Sequence, residues 1–483
     1  MNIAGTKEKI GAAVVVLSVF VLYLWRRDDQ SLIKKNVIEG LLRAEKNVSV
    51  RRLPRVAVGF GSCLDGMVDG LRVLRMLGLK PPRTGQHHAV VGSEAEFAEL
   101  FAYFFDQGAA AERYTNNKAF FNRLTYASQC LPSTRWSIGG NAAVMANRFA
   151  MEGCKVLLGT RATKRSTVRI HPSVVIAGNK NINKDDIHLC LEYKTAARWG
   201  KYKARRANRL IIHCDESNPL LSSLEDFAND LITFSPSLIV IGGLQMMDGF
   251  PFKEGERTRL LLKLRDLLKQ QPSDILIHFE MASFADETLL KELVQYILPY
   301  VDSVGMNEQE LPNLQSILKY GYVTFIAEAI PRVASALDSM RNVYSLLQTM
   351  PFSPDVQHGR RISRLHVHTL AFQAILTKRG SPWKNTMSAA AKASLTGNRH
   401  VCNSHEVETD KSQLILDSSF SLSLEPGSAR VYMKEHQPVS CWYEEDRKFC
   451  IAPMLMCTEA HKTAGGGDNI SSAALSIQVP ERD

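Results

Sequence analysis

The segment with the clearest chemical potential lies near the carboxyl terminus, where three glycines precede an acid. Gly465, Gly466 and Gly467 lead into Asp468, and the apolar residues after it predict a helix that begins there. N–H groups in the first turn of a helix bind anions, and glycines let the backbone approach a phosphoryl group closely. A carboxylate beside such a turn is able to take a proton from an attacking hydroxyl. The same residues also fit a tight loop with an N-capping acid, and the segment alone leaves both interpretations open.

A second glycine turn precedes an alanine-rich stretch in the first third of the chain. Gly139, Gly140 and Asn141 come directly before Ala142 and Ala143. The pattern indicates either a ligand-binding turn or a helix N-terminus that packs closely against its neighbours.

Two acids follow predicted strands. Glu280 ends the run His278-Phe279-Glu280, and Glu310 comes three residues after Asn307. Carboxylates beyond the ends of parallel strands hold Mg²⁺ through water, which is the usual mode for a metal that bridges phosphates. Each acid taken singly is more simply explained as a solvated surface residue.

The elements that must position these residues are short, continuous apolar runs that alternate with amphipathic stretches such as 258–269 and 289–298. The predicted buried strands are Val56–Gly61, Val156–Gly159, Leu238–Gly243, Ile275–Glu280 and Ser303–Asn307. This alternation predicts an α/β fold with a mainly parallel central sheet that helices flank on both faces.

Two regions interrupt this alternation of strands and helices, and they predict a smaller α+β lid domain over the carboxyl ends of the main strands. Residues 83–130 are mostly helical, and residues 163–216 hold alternating strands such as Ile187–Tyr193 and Arg209–His213, which are typical of an antiparallel sheet with one wet face. The predicted division of the chain is a linker over 31–54, a large domain over 55–82, 131–162 and 217–483, and a discontinuous lid over 83–130 and 163–216.

The amino terminus carries an uncharged apolar run, Ile10–Trp25, with lysines before it and Arg26-Arg27 after it. As a helix it would rise about 24 Å, slightly short of a bilayer core of ~30 Å. We expect residues 1–30 to be a signal anchor in the endoplasmic reticulum membrane, or a signal peptide whose cleavage would make the protein secreted. Basic residues at both ends leave the orientation open.

Composition excludes several classes of protein. With 45% hydrophobic and 22% charged residues, the 483-residue chain is an ordinary globular protein and neither disordered, collagenous nor a coiled coil. A net charge of +10 over this length does not demand nucleic acid. The absence of a CxxC pair argues against a finger-type zinc site. Cys402, Cys441, Cys450 and Cys457 fall in one region and could include a disulfide in an oxidising compartment.

Together these motifs resemble the ribokinase-like sugar kinases, and more closely their ADP-dependent glucokinase branch with its membrane-associated animal members. The resemblance rests on a GG element, an NxxE motif and a terminal GxGD-like motif in the family's order. Its residues are Val58–Asp65, Gly108–Arg113, Gly139–Ala143, Ala207–Arg209, Gly242–Gln245, His278–Glu280, Asn307–Glu310, Leu365–Leu370 and Gly467–Ser471.

The resemblance implies that the protein transfers a phosphoryl group from ADP to the 6-hydroxyl of glucose, giving glucose 6-phosphate and AMP. Asp468 would be the general base, Gly465, Gly466 and Gly467 the anion hole, and Glu280 and Glu310 with Asp468 the site of one Mg²⁺ ion. The residues implied for sugar binding are Asp65, Glu112, Gly140 and Asn141, and those implied for nucleotide binding are Arg209 and His366 or His368. A lid salt bridge for Arg209 and a core position for the histidines stay open.

The chain departs from the family pattern at two positions. Gly466 stands where the family commonly has an apolar residue, and Ser62 stands where it often has Asn. Two other functions remain open: a kinase of the same fold that uses ATP or another sugar, and a membrane-tethered sensor without turnover. We expect a monomer that binds glucose and ADP and no nucleic acid.

Overall fold

The computed structural model describes residues 30–49, 52–177, 182–284, 286–323, 330–350, 359–462 and 464–480. The predicted anchor Ile10–Trp25 lies outside these ranges. Among the helices inside them, none combines the length and the apolar character that a bilayer crossing requires.

The helices and strands follow the predicted alternation over most of the chain. The α-helices are α1 (30–46), α2 (Gly70–Met76), α3 (Glu94–Gln107), α4 (Lys118–Gln129), α5 (Asn141–Met151), α6 (Lys164–Thr167), α7 (Leu224–Phe234), α8 (Glu256–Lys269), α9 (Glu287–Tyr296), α10 (Glu310–Tyr320), α11 (Val333–Thr349), α12 (Thr386–Cys402) and α13 (Gly466–Ser476), with 3₁₀ turns at Leu244–Met247 and Leu298–Tyr300. The strands are β1 (Arg55–Gly59), β2 (Cys63–Asp69), β3 (Val90–Val91), β4 (Ala111–Thr115), β5 (Arg135–Gly139), β6 (Lys155–Leu158), β7 (Val174–Ile176), β8 (Ile187–Tyr193), β9 (Arg198–Trp199), β10 (Tyr202–Lys203), β11 (Asn208–His213), β12 (Leu238–Ile241), β13 (Leu276–Glu280), β14 (Ser303–Asn307), β15 (Arg364–His368), β16 (Phe372–Lys378), β17 (Ser412–Leu414), β18 (Ser419–Ser421), β19 (Arg430–Tyr432), β20 (Ser440–Glu444), β21 (Arg447–Pro453) and β22 (Leu455–Cys457).

The larger sheet has ten strands in the order β20-β21-β16-β15-β14-β13-β12-β1-β6-β7. From β15 to β7 every neighbouring pair is parallel, whereas β16, β21 and β20 extend the sheet with antiparallel pairs. All five strands predicted from apolar runs lie in the parallel part, which confirms the α/β fold class.

Burial on both faces explains why these strands are apolar at every position. In β12, Ile239 and Ile241 belong to the hydrophobic cluster on one face of the sheet, and Leu238 and Val240 belong to the cluster on the other face. Side chains alternate between faces along a strand, so a sheet with helices on both sides needs an apolar residue at each position.

The smaller sheet has six strands in the order β3-β4-β11-β8-β2-β5. The strands β8 and β11 are antiparallel as their alternation predicts, but the sheet is mixed, since β3-β4, β4-β11 and β8-β2 are parallel pairs. Two of its members, β2 and β5, come from segments assigned above to the large domain. Conversely, β7 pairs with the larger sheet although it comes from a segment assigned to the lid. The expectation of an antiparallel lid sheet is therefore wrong for the sheet as a whole.

The two faces of the smaller sheet differ in chemistry. Leu189 and Leu191 of β8 pack with the phenylalanines of α3 in one hydrophobic cluster. The alternate residues His188 and Cys190 point to the opposite face, where β11 places His213 directly beside His188. Because side chains alternate along strands, one register sets both the apolar and the polar face.

The carboxyl-terminal third is tied together by α1 and by two disulfides. Val37 and Leu41 of α1 are fully buried in a cluster that also holds residues of α12 and β21. Disulfides join Cys402 to Cys457 and Cys441 to Cys450. All four cysteines of the region singled out in the sequence are thus paired.

Candidate active site

Asp468 lies in the first turn of α13, directly after the glycine turn. Gly465 caps the helix with φ of +69°, a conformation that side chains other than glycine rarely adopt. Asn141, the first residue of α5, donates from Nδ2 to Asp468 Oδ1 at 2.8 Å. Both glycine turns found in the sequence therefore meet at one carboxylate.

The environment of Asp468 favours its protonated form. Burial and the nearby charge of Glu280 raise the pKa of Asp468 to about 7, and the hydrogen bond from Asn141 offsets only part of this. A carboxyl with a pKa near neutrality is suited to accept and release a proton under physiological conditions.

Glu280 ends β13 and is almost completely buried, and several polar groups surround it. His278 Nε2 lies 2.8 Å from one of its oxygens, and Ser471 Oγ, one turn beyond Asp468, donates to the other at 2.9 Å. Burial raises the pKa of Glu280, but the hydrogen bonds from His278 and His368 outweigh it and hold the pKa well below its usual range. Glu280 is therefore an ionised carboxylate beside the proposed base.

Glu310 begins α10 and is held by the NxxE motif itself. The backbone N–H and Nδ2 of Asn307 donate to its two oxygens at 2.9 and 2.8 Å. Burial nevertheless raises the pKa of Glu310 to about 7, against the opposing charge of His368.

The acids fit a divalent cation. Glu280 and Glu310 are buried oxygen donors, and burial together with the charge of Glu280 raises the pKa of Glu310 and of Asp468, so a cation would favour the ionised forms. Each carboxylate oxygen retains a free lone pair beside its protein hydrogen bond, which suits a hydrated metal held through water.

His368 lies among these acids and packs against the glycine turn. Its Nε2 is 3.6 Å from Glu280 Oε1, and a Cβ atom at Gly467 would lie 2.6 Å from its ring. At Gly466, in contrast, a Cβ atom would meet nothing within 4 Å. The turn therefore requires glycine at 467 and leaves room for a side chain at 466.

The residues implied for sugar binding lie on the polar face of the smaller sheet, opposite α13. Asp65 of β2 accepts from Cys63 Sγ at 3.2 Å, and its charge contributes to the raised pKa of Asp468. Glu112 of β4 lies on the same face, 3.0 Å from His188 Nδ1. Gly140 precedes Asn141 at the junction between the two sheets.

Sequence reasoning missed His188 and Asp215, which hold Glu112 in place. His188 Nε2 lies 3.0 Å from both oxygens of Asp215, a fully buried carboxylate. Burial opposes a charge on His188, but Asp215 outweighs it and raises the pKa of His188 well above its usual value. For His188 the available signal was its polar position in the alternating run 187–193. Asp215 follows the run 209–213, and only the pairing of the two strands brings it to His188.

The three residues implied for nucleotide binding occupy different environments. His366 is fully buried and lies 3.2 Å from Gln373 Oε1, so it has no surface to offer a nucleotide. His368 borders the acid cluster described above. Arg209 lies on β11, where its charge acts on the nearby Asp65, and its buried Nε has no hydrogen-bond partner among the described residues.

A cleft of about 320 Å³ runs between the two sheets beside this cluster. The smaller sheet contributes Glu112 and Arg113, and the larger part contributes Gln245, Asp248 and Asp286. Its charged lining is mainly acidic.

The chain resembles known proteins over most of its length. In sequence it is similar to ADP-dependent glucokinase from Bos taurus, 32% identical over 88% of this chain and 84% of the relative. It is also similar to a probable ADP-dependent glucokinase from Caenorhabditis elegans, 32% identical over 87% of this chain and 84% of the relative. A solved ADP-dependent kinase, in complex with fructose 6-phosphate and ADPβS, has the same fold, with a TM-score of 0.63 and 17% identity over 92% of this chain and 97% of that one.

The family match spans the part of the chain that builds the site. Residues 54–477 match the conserved region of ADP-specific phosphofructokinases and glucokinases, from β1 to the end of α13. On the strength of that match, the chain belongs to the ADP-specific phosphofructokinase/glucokinase family.

Proposed function

We propose that this protein is a glucokinase that transfers the β-phosphoryl group of ADP to the 6-hydroxyl of glucose, releasing AMP. One observation carries the proposal: Asp468, held by Asn141, lies beside both a glycine turn and the buried acid Glu280. The names of the sequence relatives support the choice of ADP and glucose.

Asp468 acts as the general base for the sugar hydroxyl. Its pKa near 7 keeps a substantial fraction ionised at neutral pH, and Asn141 Nδ2 stabilises that ionised form. The opposite oxygen of Asp468 is free of protein donors among the described contacts and is the one that would accept the proton. This step is general base catalysis, which contributes about 10²–10⁴-fold.

The glycine turn and the acids accommodate the phosphoryl group. The transition state spreads negative charge over the phosphoryl oxygens, so backbone N–H groups at the start of α13 stabilise it. Mg²⁺ held by Glu280 and Glu310 would supply further positive charge when bound. The absence of a side chain at Gly467 lets the turn pack against the ring of His368.

The acceptor fits a neutral sugar better than a sugar phosphate, the other acceptor class in this family. Glu112, Asp248 and Asp286 line the cleft, and Arg113 is the one arginine that lines it among the described residues. Arg113 already donates to the carbonyl oxygens of His88 and Glu112. The phosphate of a sugar phosphate would therefore be repelled by these acids, and the arginine in the lining is already engaged.

The proposal extends to location. The apolar run at the amino terminus supports a membrane-anchored enzyme of the endoplasmic reticulum, and the pairs Cys402–Cys457 and Cys441–Cys450 support a catalytic part in an oxidising compartment. We propose a monomer as the working form.

The test is turnover of the full-length chain with glucose or fructose 6-phosphate, Mg²⁺, and either ADP or ATP. We expect glucose 6-phosphate and AMP in equal amounts with ADP, and little product with the other pairs. Asp468→Asn should lower kcat by about 10²-fold or more and change the KM for glucose little, because the base acts in the transition state. The exposed-site variant Asp410→Asn serves as control. Glucose and ADP binding without AMP formation would instead identify a sensor.

A further inference from the structure

Gln245 is the next link in the hydrogen-bonded chain that ends at the proposed base. It lies in the 3₁₀ turn Leu244–Met247 that follows β12, and its Nε2 donates to Asn141 Oδ1 at 2.7 Å. Asn141 in turn donates from Nδ2 to Asp468 Oδ1 at 2.8 Å. The order Gln245, Asn141, Asp468 runs from the larger sheet through the start of α5 to the start of α13.

The polarity of an amide gives this chain a direction. Asn141 has one acceptor end and one donor end, and Gln245 presents a donor to the acceptor end. Rotating the Asn141 amide by 180° would set two NH₂ groups against each other and turn an oxygen toward the carboxylate of Asp468. Gln245 therefore fixes the orientation in which Asn141 donates to the base.

The position of Gln245 is fixed by its surroundings. Leu244, Met246 and Met247 on either side of it are buried. The preceding Gly242 packs against Asn141 and Glu280, since a Cβ atom there would lie 3.3 Å and 3.5 Å from their Cβ atoms. The segment from Gly242 to Gln245 thus contacts both Asn141 and Glu280, the two residues that flank Asp468.

The other end of the Gln245 amide is unused. Its Oε1 is buried and has no hydrogen-bond partner among the described residues, although the residue lines the cleft that also contains Glu112. A buried carbonyl oxygen without a partner costs about 1–3 kcal/mol, so a ligand that donates a hydrogen bond there recovers a stabilising contact.

We propose that Gln245 is a positioning residue that couples acceptor binding to the base: a sugar hydroxyl donates to its Oε1, while its Nε2 holds Asn141 in the orientation that serves Asp468. The inference rests on the proposed function, because it assigns Asp468 as the base and the cleft as the sugar site. It adds a direct sugar contact from the larger sheet, opposite those of the smaller sheet.

The test is a double-mutant cycle with Gln245→Met and Asn141→Ala in the full-length chain. Methionine keeps the length of glutamine and removes both polar ends. In the otherwise unchanged protein we expect Gln245→Met to lower kcat about tenfold and raise the KM for glucose severalfold, with the KM for ADP unchanged. In the Asn141→Ala background its effect on kcat should fall below about twofold, while its effect on glucose affinity persists.

Three measurements keep the outcome decisive. Calorimetric titration with glucose alone reports the Oε1 contact without turnover, thermal unfolding reports folding, and Gln413→Met, on the exposed side of β17, is the matched control. Equal losses of kcat in both backgrounds, or a change confined to ADP, would overturn the inference. Failure of the proposed function is separate, since the unsubstituted chain would then form no AMP from ADP and glucose.

Discussion

At the scale of single residues, the neighbouring glycines Gly466 and Gly467 have opposite surroundings, so each is a control for the other. Gly466 faces open space, so alanine there should be tolerated and should stabilise the protein by about 0.4–1 kcal/mol through the unfolded chain. Gly467→Ala forces a methyl group against the ring of His368, 2.6 Å away, and should lower kcat by about tenfold or more. Denaturant unfolding and turnover of both variants check this. Equal turnover in the two would show that the turn has no tight contact.

The acids of the site predict how metal and pH act together on stability. Folding raises the pKa values of Glu310 and Asp468 from 4.5 and 3.8 to about 7. The native state then binds more protons than the unfolded state, so these groups destabilise the metal-free protein as the pH rises from about 4 to 7. Since Mg²⁺ binds the ionised carboxylates, the rise in Tm that it causes should be larger at pH 8 than at pH 6.

The measurement is thermal unfolding at both pH values with Mg²⁺ or with a chelator. Glu310→Ala should diminish the rise in Tm at pH 8, whereas the exposed variant Glu425→Ala should leave it unchanged. A rise in Tm that is the same at both pH values would contradict the assignment of these acids to the cation.

Site residues that lie within one local motif were predictable from the sequence. Site residues that long-range contacts bring together were not. The glycine turn and Asp468 are adjacent in the chain, so their meeting needs only one helix start. His188 and Asp215 come together through strand pairing, and Gln245 reaches Asn141 across 104 positions. Nothing in the local spacing of such residues encodes their contacts.

At the scale of elements, the disulfide Cys402–Cys457 joins the end of α12 to β22, just before the loop that leads to Asp468. That loop is also held by His461, whose N–H donates to the carbonyl oxygen of Val401, and by His400, whose Nε2 lies 2.9 Å from the carbonyl oxygen of Ala464. Cys402→Ser with Cys457→Ser should cost about 4 kcal/mol by the chain-entropy estimate for a loop of this length and should also lower kcat.

The second disulfide provides the control. Cys441–Cys450 closes a short hairpin between β20 and β21 at the sheet edge. Its removal should cost less, about 2–3 kcal/mol, and leave kcat unchanged. Chemical denaturation and turnover of the two double variants measure both effects. Loss of activity from the hairpin pair alone would contradict the role given to the α12 disulfide.

Which residues form a strand was easier to predict from the sequence than which strands pair with each other. The continuous apolar run of β12 indicates burial on both faces, and such a strand belongs in a covered parallel sheet. The run of β2, Cys63–Asp69, alternates less clearly, and it falls in the range 55–82 assigned above to the large domain. Its actual partners, β8 and β5, lie far along the chain, and the turn at Gly61 that redirects it is visible only in the structure.

At the scale of the whole molecule, the chain passes between the two sheets where three glycines meet. A Cβ atom at Gly61 would lie 2.8 Å from the Cα of Gly243, and one at Gly140 would lie 2.5 Å from the carbonyl oxygen of Gly61. Backbones in direct contact fix the distance between Asp468 and the face of the smaller sheet that we propose binds the sugar. The geometry of the cleft therefore depends on the absence of side chains at this junction.

Gly243→Ala tests that dependence, with Gly380→Ala as its counterpart. Both glycines have positive φ, +80° and +76°, so each substitution carries the same backbone cost of about 1 kcal/mol. Only at Gly243 would the new Cβ atom also press on the carbonyl oxygen of Phe60, 2.5 Å away, whereas Gly380 has nothing within 4 Å. Gly243→Ala should therefore lose about a further 1–3 kcal/mol of stability and lower kcat and glucose affinity together, because the backbone at Phe60 and Gly61, which leads from β1 into β2 of the smaller sheet, must shift. If unfolding and turnover show equal effects for the two variants, the contact of Gly243 with the backbone at Phe60 and Gly61 does not set the geometry of the cleft.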